Sequence, residues 1–243
     1  MPKPLIIVPS YNTNPASTHQ LIYSLQSQAN QDFRVIFAVD KCQKSLDSII
    51  QATKKINPSF EYCIKFSSRR RFALANIVIT LFAAKYIDTS WVGILDGDDH
   101  LLSSDVIDIF NFEYLQGANV AWSSFLWDGQ PSNVSQAFPQ RTDPYKYPWV
   151  SSHFKTFSYN LFLSVPISNY LDADGNFLRR CYDHALMLPL LWLCRTHNLR
   201  TKHIPQPLYY YNNSNSSIPA SEHTRGSLES HIAQFIRSRG YVS

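Results

Sequence analysis

The stretch Trp91-Val-Gly-Ile-Leu-Asp96-Gly97-Asp98-Asp99 decides how the rest of the sequence is interpreted, because an apolar strand runs directly into a cluster of acids. Alternate residues of an extended segment face the same side, so Asp96 and Asp98 can address one site while Gly97 permits close approach. Carboxylate oxygens are the ligands that Mg²⁺ and Mn²⁺ prefer, and one or two carboxylates suffice when phosphates and water complete the shell. The sequence therefore predicts a divalent metal site at Asp96 and Asp98. The alternative is a polar turn that caps the following helix.

Short β-branched runs surround this strand and alternate with helical patterns, which is typical of βα units around a mostly parallel sheet. The predicted strands of the first half are Leu5–Val8, Phe33–Val39, Glu61–Phe66 and Trp91–Leu95. Between them, apolar residues recur at helical spacing in Ser17–Gln28 and Phe72–Ile87. The predicted fold class is therefore α/β, with helices packed on the sheet.

In such a sheet, ligands bind outside the carboxyl ends of the strands. Pro9-Ser10-Tyr11-Asn12 follows the first predicted strand, and Tyr11 can stack beside a base there or belong to an ordinary turn. Asp40 ends the second strand, where it can accept hydrogen bonds from a nucleobase or ribose, or be an exposed turn residue. Arg69-Arg70-Arg71 follows the third strand, and guanidinium forks suit a diphosphate, although a solvated charged face is the alternative.

The pattern of predicted strands and helices changes in the second half of the chain. A helix at Ser104–Gln116 and a strand at Asn119–Leu126 lead into a loop rich in Pro, Gln, Asp and Tyr, from Asp128 to Pro148. Beyond it, helices are predicted at Ser151–Leu163, Asp183–His197 and Ser221–Arg239, and a strand at Leu208–Tyr211. Neither half looks able to bury its own core, so we expect one fold with two parts, residues 1–127 and 128–243.

Composition excludes several classes of protein. The net charge of +4 is small and no long basic run accompanies it, so nucleic acid is not an expected partner, whereas an anionic small molecule is. The four cysteines form no CxxC pair, which argues against a zinc site or a disulfide framework. The N-terminus lacks the apolar segment of a secretory signal, and Ala185–Cys194 is too short to cross a bilayer. We therefore expect a cytoplasmic protein without a transmembrane segment.

Four motifs stand in the order found in glycosyltransferase family 2, and the sequence resembles that family closely in its first half and more loosely in its second. They are Ile7-Val8-Pro9-Ser10-Tyr11-Asn12, Val39-Asp40, Arg71-Phe-Ala-Leu-Ala-Asn76 and Leu95-Asp96-Gly97-Asp98-Asp99. The resemblance implies the GT-A fold, a nucleotide-sugar donor, Mn²⁺ or Mg²⁺ as cofactor, and inversion at the anomeric carbon. Residues 1–127 would then bind the donor and residues 128–243 the acceptor.

The resemblance also implies roles for individual residues. The donor nucleoside would be held by Pro9, Tyr11, Asn12 and Asp40. The region from Arg71 to Asn76 would flank the diphosphate, and Asp96 and Gly97 would also bind the donor. Asp98 would be the principal metal ligand, beside Asp96.

The base that deprotonates the acceptor hydroxyl is expected in the second half, as a carboxylate within hydrogen-bond reach of that hydroxyl. Asp183, at the start of a predicted apolar helix, resembles the aspartate of the family's Glu-Asp motif, with Tyr182 in place of the usual glutamate. Asp183 is therefore predicted to be the catalytic base. The alternative is an N-cap of that helix, without catalytic meaning.

Two further segments resemble parts of related transferases that lie near the acceptor. In Pro148–Phe157, Trp149 can stack on a sugar face, and His153 can ligate the metal or touch the acceptor, or be structural. Leu208–Ser214 resembles the strand and loop that close the site, with asparagines and serine where the family often has arginine and histidine. Residues 212–217 are therefore a candidate loop over the diphosphate.

Two other functions are compatible with parts of this pattern. A nucleotidyltransferase on a similar sheet would normally carry a glycine-rich phosphate loop near the first strand, but Pro9–Pro15 contains no glycine. A noncatalytic carbohydrate-binding module would use the many aromatic residues, but it gives no reason for acids at two strand ends.

Overall fold

The computed structural model of the chain describes residues 2–83, 88–132, 134–212 and 225–243. The strands are β1 (Lys3–Ser10), β2 (Arg34–Asp40), β3 (Glu61–Ser67), β4 (Thr89–Ile94), β5 (His100–Leu101), β6 (Ala118–Trp127), β7 (Gln130–Pro131), β8 (Lys155–Ser158) and β9 (Arg200–Tyr211). The helices are α1 (Pro15–Gln26), α2 (Gln43–Ile56), α3 (Phe72–Ala83), α4 (Val106–Leu115), α5 (Tyr159–Leu163), α6 (Tyr182–Thr196) and α7 (Arg225–Arg239), with a 3-10 helix at Ile167–Tyr170.

All of these strands join one sheet in the order β3-β2-β1-β4-β8-β6-β9-β5, and β7 pairs with β6 at the side. The pairs from β3 to β4 are parallel, as predicted for the first half. Strand β8 then runs antiparallel between β4 and β6, and β6 is parallel to β9. The prediction of an α/β fold is confirmed, with a parallel first half and a mixed second half.

Both faces of the sheet are buried, which explains why β1 is apolar without interruption. Leu5 and Ile7 pack into one core with α3 and α6, whereas Ile6 and Val8 pack into the other with α1, α2 and α4. In the part of the chain that the structure describes, no helix is both long and apolar enough to cross a membrane.

The predicted helix at Ser151–Leu163 is wrong, because its centre is strand β8 and only Tyr159–Leu163 is helical. Lys155 lies opposite Ile94 of β4 and Trp122 of β6, so hydrogen bonds to two neighbouring strands outweigh the local helical pattern. This correction matters for function, since it moves residues 153–155 to the centre of the sheet.

Other differences concern the extent of elements. Helix α2 was not predicted, and β9 begins eight residues before the predicted strand because it pairs with β6 over most of its length. The predicted end of the third helix, residues 84–87, and the predicted start of the last helix, residues 221–224, lie outside the described residues.

Gly93 of β4 lies where the sheet leaves no room for a side chain. A Cβ at this position would be 2.5 Å from Cζ of Phe154 and 3.0 Å from Cδ1 of Ile6. Both neighbours are completely buried, so neither can move aside freely.

We expect Gly93→Ala to lower the free energy of unfolding by about 1–3 kcal/mol, the usual cost of overpacking a core. Urea denaturation followed by fluorescence measures the change. Phe154→Leu shortens the clashing side chain, so the double variant should lose less than the sum of the two single losses. A Gly93→Ala protein as stable as wild type would contradict this account of β4.

Candidate active site

A cavity of about 580 Å³ opens at the carboxyl ends of β1, β2 and β4, where the sequence predicts a ligand. Eight predicted site residues line it: Pro9, Tyr11, Asp40, Asn76, Asp96, Gly97, Asp98 and Asp183. Three of the other four contact residues of the lining: Arg71, Trp149 and His153. Asn12 follows Tyr11 in the chain, and its backbone N–H donates to Sγ of Cys42. Arg179, Arg180 and Glu229 also line the cavity, and they were not among the predicted site residues.

The turn after β4 packs closely against the end of β1. The backbone N–H of Gly97 donates to the carbonyl of Pro9 at 3.1 Å. A Cβ on Gly97 would lie 2.6 Å from Oγ of Ser10 and 3.0 Å from that carbonyl oxygen. Only glycine fits this approach, which fixes the acids on either side of it. The N-cap of the following helix α4 is Asp105. The acid turn, by which we mean residues 96–99, therefore does not cap that helix.

Asp96 is held by groups from the second half of the chain. The hydroxyl of Tyr182 donates to the Asp96 carboxylate, 2.5 Å from Oδ1 and 2.6 Å from Oδ2. The ammonium of Lys155 lies 3.6 Å from Oδ2. These contacts connect the acid turn to β8 and to the start of α6.

Asp99 is almost completely buried beside Asp96. It accepts hydrogen bonds from the hydroxyl of Tyr209 at 2.5 Å and from the backbone N–H of Asn212 at 2.8 Å. The side chain of Asn212 donates to the carbonyl of Asp98 at 3.3 Å. The end of β9 therefore closes over the acid turn, and residues 213–217 of the predicted loop lie outside the described residues.

The three carboxylates of the acid turn have raised pKa values. Burial and the neighbouring Asp96 raise the pKa of Asp98 to about 7. Burial, Asp96 and Asp98 raise the pKa of Asp99 well above its ordinary value, and burial raises that of Asp96. Among the described residues, the negative charge of these carboxylates is not balanced by nearby cations, so their oxygens fit a divalent cation.

The residues best grouped for a metal differ in part from the predicted pair. Asp96, Asp99 and His153 each offer one ligand atom, and these atoms lie within 4.8 Å of one another. Asp96 belongs to both sets, and Asp98 lines the cavity from the same turn. Asp99 was missed as a ligand because a strict alternation along an extended strand points it away, whereas the chain here turns.

His153 is neutral, and one of its ring nitrogens already forms a hydrogen bond. Burial, followed by the charge of Lys155, lowers its pKa to about 3. Because an ammonium only donates, Nδ1 of His153 accepts the hydrogen bond of 3.1 Å from Lys155. The ring stacks on Tyr209 and Tyr211, with centroids 4.7 Å and 5.1 Å away.

Asp40 fixes the start of helix α3. Its carboxylate accepts the backbone N–H groups of Arg71 at 2.7 Å and Phe72 at 2.8 Å, and it forms an ion pair with Arg70. The Arg70 guanidinium also lies 3.2 Å from the centroid of the Tyr11 ring. Tyr11 and Asp40, two of the four residues predicted to bind the nucleoside, are thus joined by Arg70.

Asp183 is the second residue of α6, and the N-cap of that helix is Cys181, so Asp183 is not its cap. Oδ1 of Asp183 lies 2.8 Å from Nζ of Lys155. Burial alone would raise the pKa of Asp183, but Lys155 outweighs it and holds that pKa below the ordinary value. Trp149 stacks on the adjacent His184, with centroids 4.1 Å apart.

Lys155 is a further residue that sequence reasoning missed. The signal was a lysine between Phe154 and Thr156 in an otherwise apolar and hydroxylic stretch, and it was hidden because the segment was interpreted as a helix.

No protein-family model matches the sequence, and no curated protein matches it. Its fold is similar to crystal structures of S. aureus TarS. TarS 1–349 in complex with UDP-GlcNAc matches with a TM-score of 0.64 and 16% identity, over 88% of this chain and 59% of TarS 1–349. TarS 1–349 without a named ligand gives 0.61 and 15%, over 86% and 60%. TarS 1–349 in complex with UDP gives 0.60 and 16%, over 86% and 60%.

These matches support a GT-A-like fold for this chain, and they do not point to glycosyltransferase family 2 specifically. The chain spans less than two thirds of the length of the TarS 1–349 structures.

The raised pKa of Asp98 predicts a pH-dependent effect of metal on stability. The folded protein binds this proton more tightly than the unfolded chain, so stability falls as pH rises from 3.8 towards about 7. Each pH unit in that window costs at most about 1.4 kcal/mol. We expect Mn²⁺, which opposes the loss, to raise the melting temperature more at about pH 8 than at about pH 5.5, relative to EDTA.

Asp98→Asn removes the titrating group and is the control for this measurement. Its melting temperature should vary less between the two pH values, and Mn²⁺ should stabilise it less at the higher one. Equal Mn²⁺ effects at both pH values in the wild-type protein would contradict the assignment of Asp98.

Proposed function

We propose that this chain is a metal-dependent, inverting glycosyltransferase that moves a sugar from a nucleotide-diphosphate-sugar to a hydroxyl of a sugar-containing acceptor. Such a reaction assembles a glycan, polysaccharide or glycoconjugate. The observation that carries the proposal is one cavity, at the carboxyl edge of a GT-A-like sheet, lined both by the acid turn and by the separate carboxylate of Asp183. TarS is a glycosyltransferase, and its crystal structures contain UDP-GlcNAc or UDP, which supports a nucleotide-sugar as donor.

On the donor side, Asp96 and Asp98 would hold Mn²⁺ or Mg²⁺, and Asp99 is a further ligand candidate. The ion, when bound, would neutralise the diphosphate leaving group. The nucleoside would lie against Pro9, Tyr11, Asn12 and Asp40. The diphosphate would be flanked by Arg71, Asn76 and Gly97. Residues 1–127 would thus bind the donor.

On the acceptor side, Asp183 would take the proton of the attacking hydroxyl. A carboxylate that is ionised at neutral pH and reaches the cavity is suited to this task. A single displacement at the anomeric carbon inverts its configuration. Trp149 would support the acceptor side by stacking on His184, which is next to the base. His153 would support it by accepting a hydrogen bond from Lys155. Residues 128–243 would thus provide the acceptor side.

We expect the protein to release a nucleoside diphosphate from one nucleotide-sugar when Mn²⁺ is present. A screen across nucleotide-sugars, with and without EDTA, measures this release. Asp98→Ala should abolish metal-dependent binding of the donor in calorimetry, because it removes charge that holds the ion, while the fold is retained. Release of pyrophosphate in place of nucleoside diphosphate would indicate a nucleotidyltransferase and overturn the proposal.

The base makes a separate prediction. Asp183→Asn keeps the size of the side chain but cannot accept the proton, so transfer should fall by roughly 10²–10⁴-fold while donor and metal affinity stay near wild type. Asp108→Asn is the matched control, since Asp108 also lies in the first turn of a helix but does not line the cavity. Near-normal turnover of Asp183→Asn would mean that another group is the base.

A further inference from the structure

Lys155 is a completely buried cation near the centre of the sheet. Burying a charge is costly unless it is paired and hydrogen-bonded. Nζ lies 2.8 Å from Oδ1 of Asp183, 3.0 Å from the hydroxyl oxygen of Tyr182 and 3.1 Å from Nδ1 of His153. These contacts are two hydrogen bonds and one close ion pair, so the buried charge is partnered. Asp96, 3.6 Å away, adds an ionic contact.

These contacts form a continuous chain between the two carboxylates that the proposed function uses. Lys155 donates to the hydroxyl of Tyr182, and that hydroxyl donates onward to Asp96. On the other side, Lys155 pairs with Asp183. The order is therefore Asp183, Lys155, Tyr182, Asp96, and the Tyr182 hydroxyl lies within hydrogen-bond distance of both oxygens of Asp96.

The row of contacts from Asp183 to Asp96 has an electrostatic consequence. Asp96 and Asp183 are like charges at one cavity, and each disfavours the ionised form of its neighbours. A cation between them allows both carboxylates to stay close together. Fixed geometry matters because a small misplacement of a reacting group can cost a large factor in rate.

We propose that Lys155 is a positioning residue that joins the carboxylate of Asp183 to that of Asp96 and so sets the base at a fixed place relative to the donor site. This inference rests on the proposed function. Lys155 does not line the cavity, so it acts through Asp183 and Tyr182 and does not touch the substrate.

Lys155→Met tests this role, because methionine keeps much of the length and volume of lysine without its charge. We expect kcat for release of nucleoside diphosphate to fall by about 10- to 100-fold, with the KM for the donor changed by less than about threefold. Lys155→Arg keeps the charge and should recover part of the rate. Lys202→Met is the control: Lys202 pairs with Glu113 at 3.2 Å, and neither lines the cavity.

Two readouts separate positioning from mere structural support. Loss of a cation near Asp96 should leave Mn²⁺-dependent binding of UDP unchanged or stronger in calorimetry, whereas a collapsed site would bind UDP more weakly. In a double-mutant cycle, Lys155→Met should cost little further rate once Asp183→Asn is present, because both changes remove the same positioned group. The double variant removes both members of the Lys155–Asp183 ion pair together. Comparing it with Asp183→Asn alone therefore still measures the further loss of rate where Lys155→Met alone does not fold.

The outcomes are distinct. Equal losses from Lys155→Met in both backgrounds, or weaker UDP binding together with lower kcat, would overturn the role of Lys155 and leave the proposed function standing. Absence of wild-type turnover with every nucleotide-sugar would overturn the proposed function, and the role of Lys155 with it.

Discussion

Four carboxylates grouped at one cavity, at the carboxyl edge of the sheet, are the constraint on which the rest of the site depends. Asp96, Asp98, Asp99 and Asp183 all reach the same region, and burial penalises each of them when ionised. Without compensation they would repel one another and take up protons. The fold supplies one buried ammonium, tyrosine hydroxyls and a backbone N–H, and it leaves the acid turn with an excess of negative charge that suits a divalent ion.

Strand β8 makes that compensation possible. It pairs antiparallel with β4 and β6, and thereby attaches the second half of the chain to the parallel sheet of the first half. Because Lys155 lies opposite Ile94, two residues before Asp96, its side chain can reach both the acid turn and the start of α6. One strand of four residues therefore connects the acid turn with the start of α6, which are the proposed donor and acceptor sides.

Tyr182 stands where the Glu-Asp motif that the sequence resembles has a glutamate, and a tyrosine fits the same charge balance. A glutamate would add a fifth carboxylate beside Asp96, whereas the tyrosine hydroxyl donates a hydrogen bond to Asp96 and accepts one from Lys155. The aromatic ring also lies within 4.9 Å of the ammonium. A neutral donor at this position reduces the repulsion that the lysine must offset.

The sequence by itself determined the features that follow local rules. Alternation of strands and helices predicted the α/β sheet, and the rule that ligands bind at carboxyl ends of strands pointed to Asp40, Asp96 and Asp98. Only the tertiary structure decided that Lys155 lies in a strand, that Asp99 faces His153, and that Asp40 is held by Arg70. These outcomes depend on pairing between segments that are distant in sequence, where hydrogen bonds to neighbouring strands and the cost of buried charge outweigh the preferences of any short stretch.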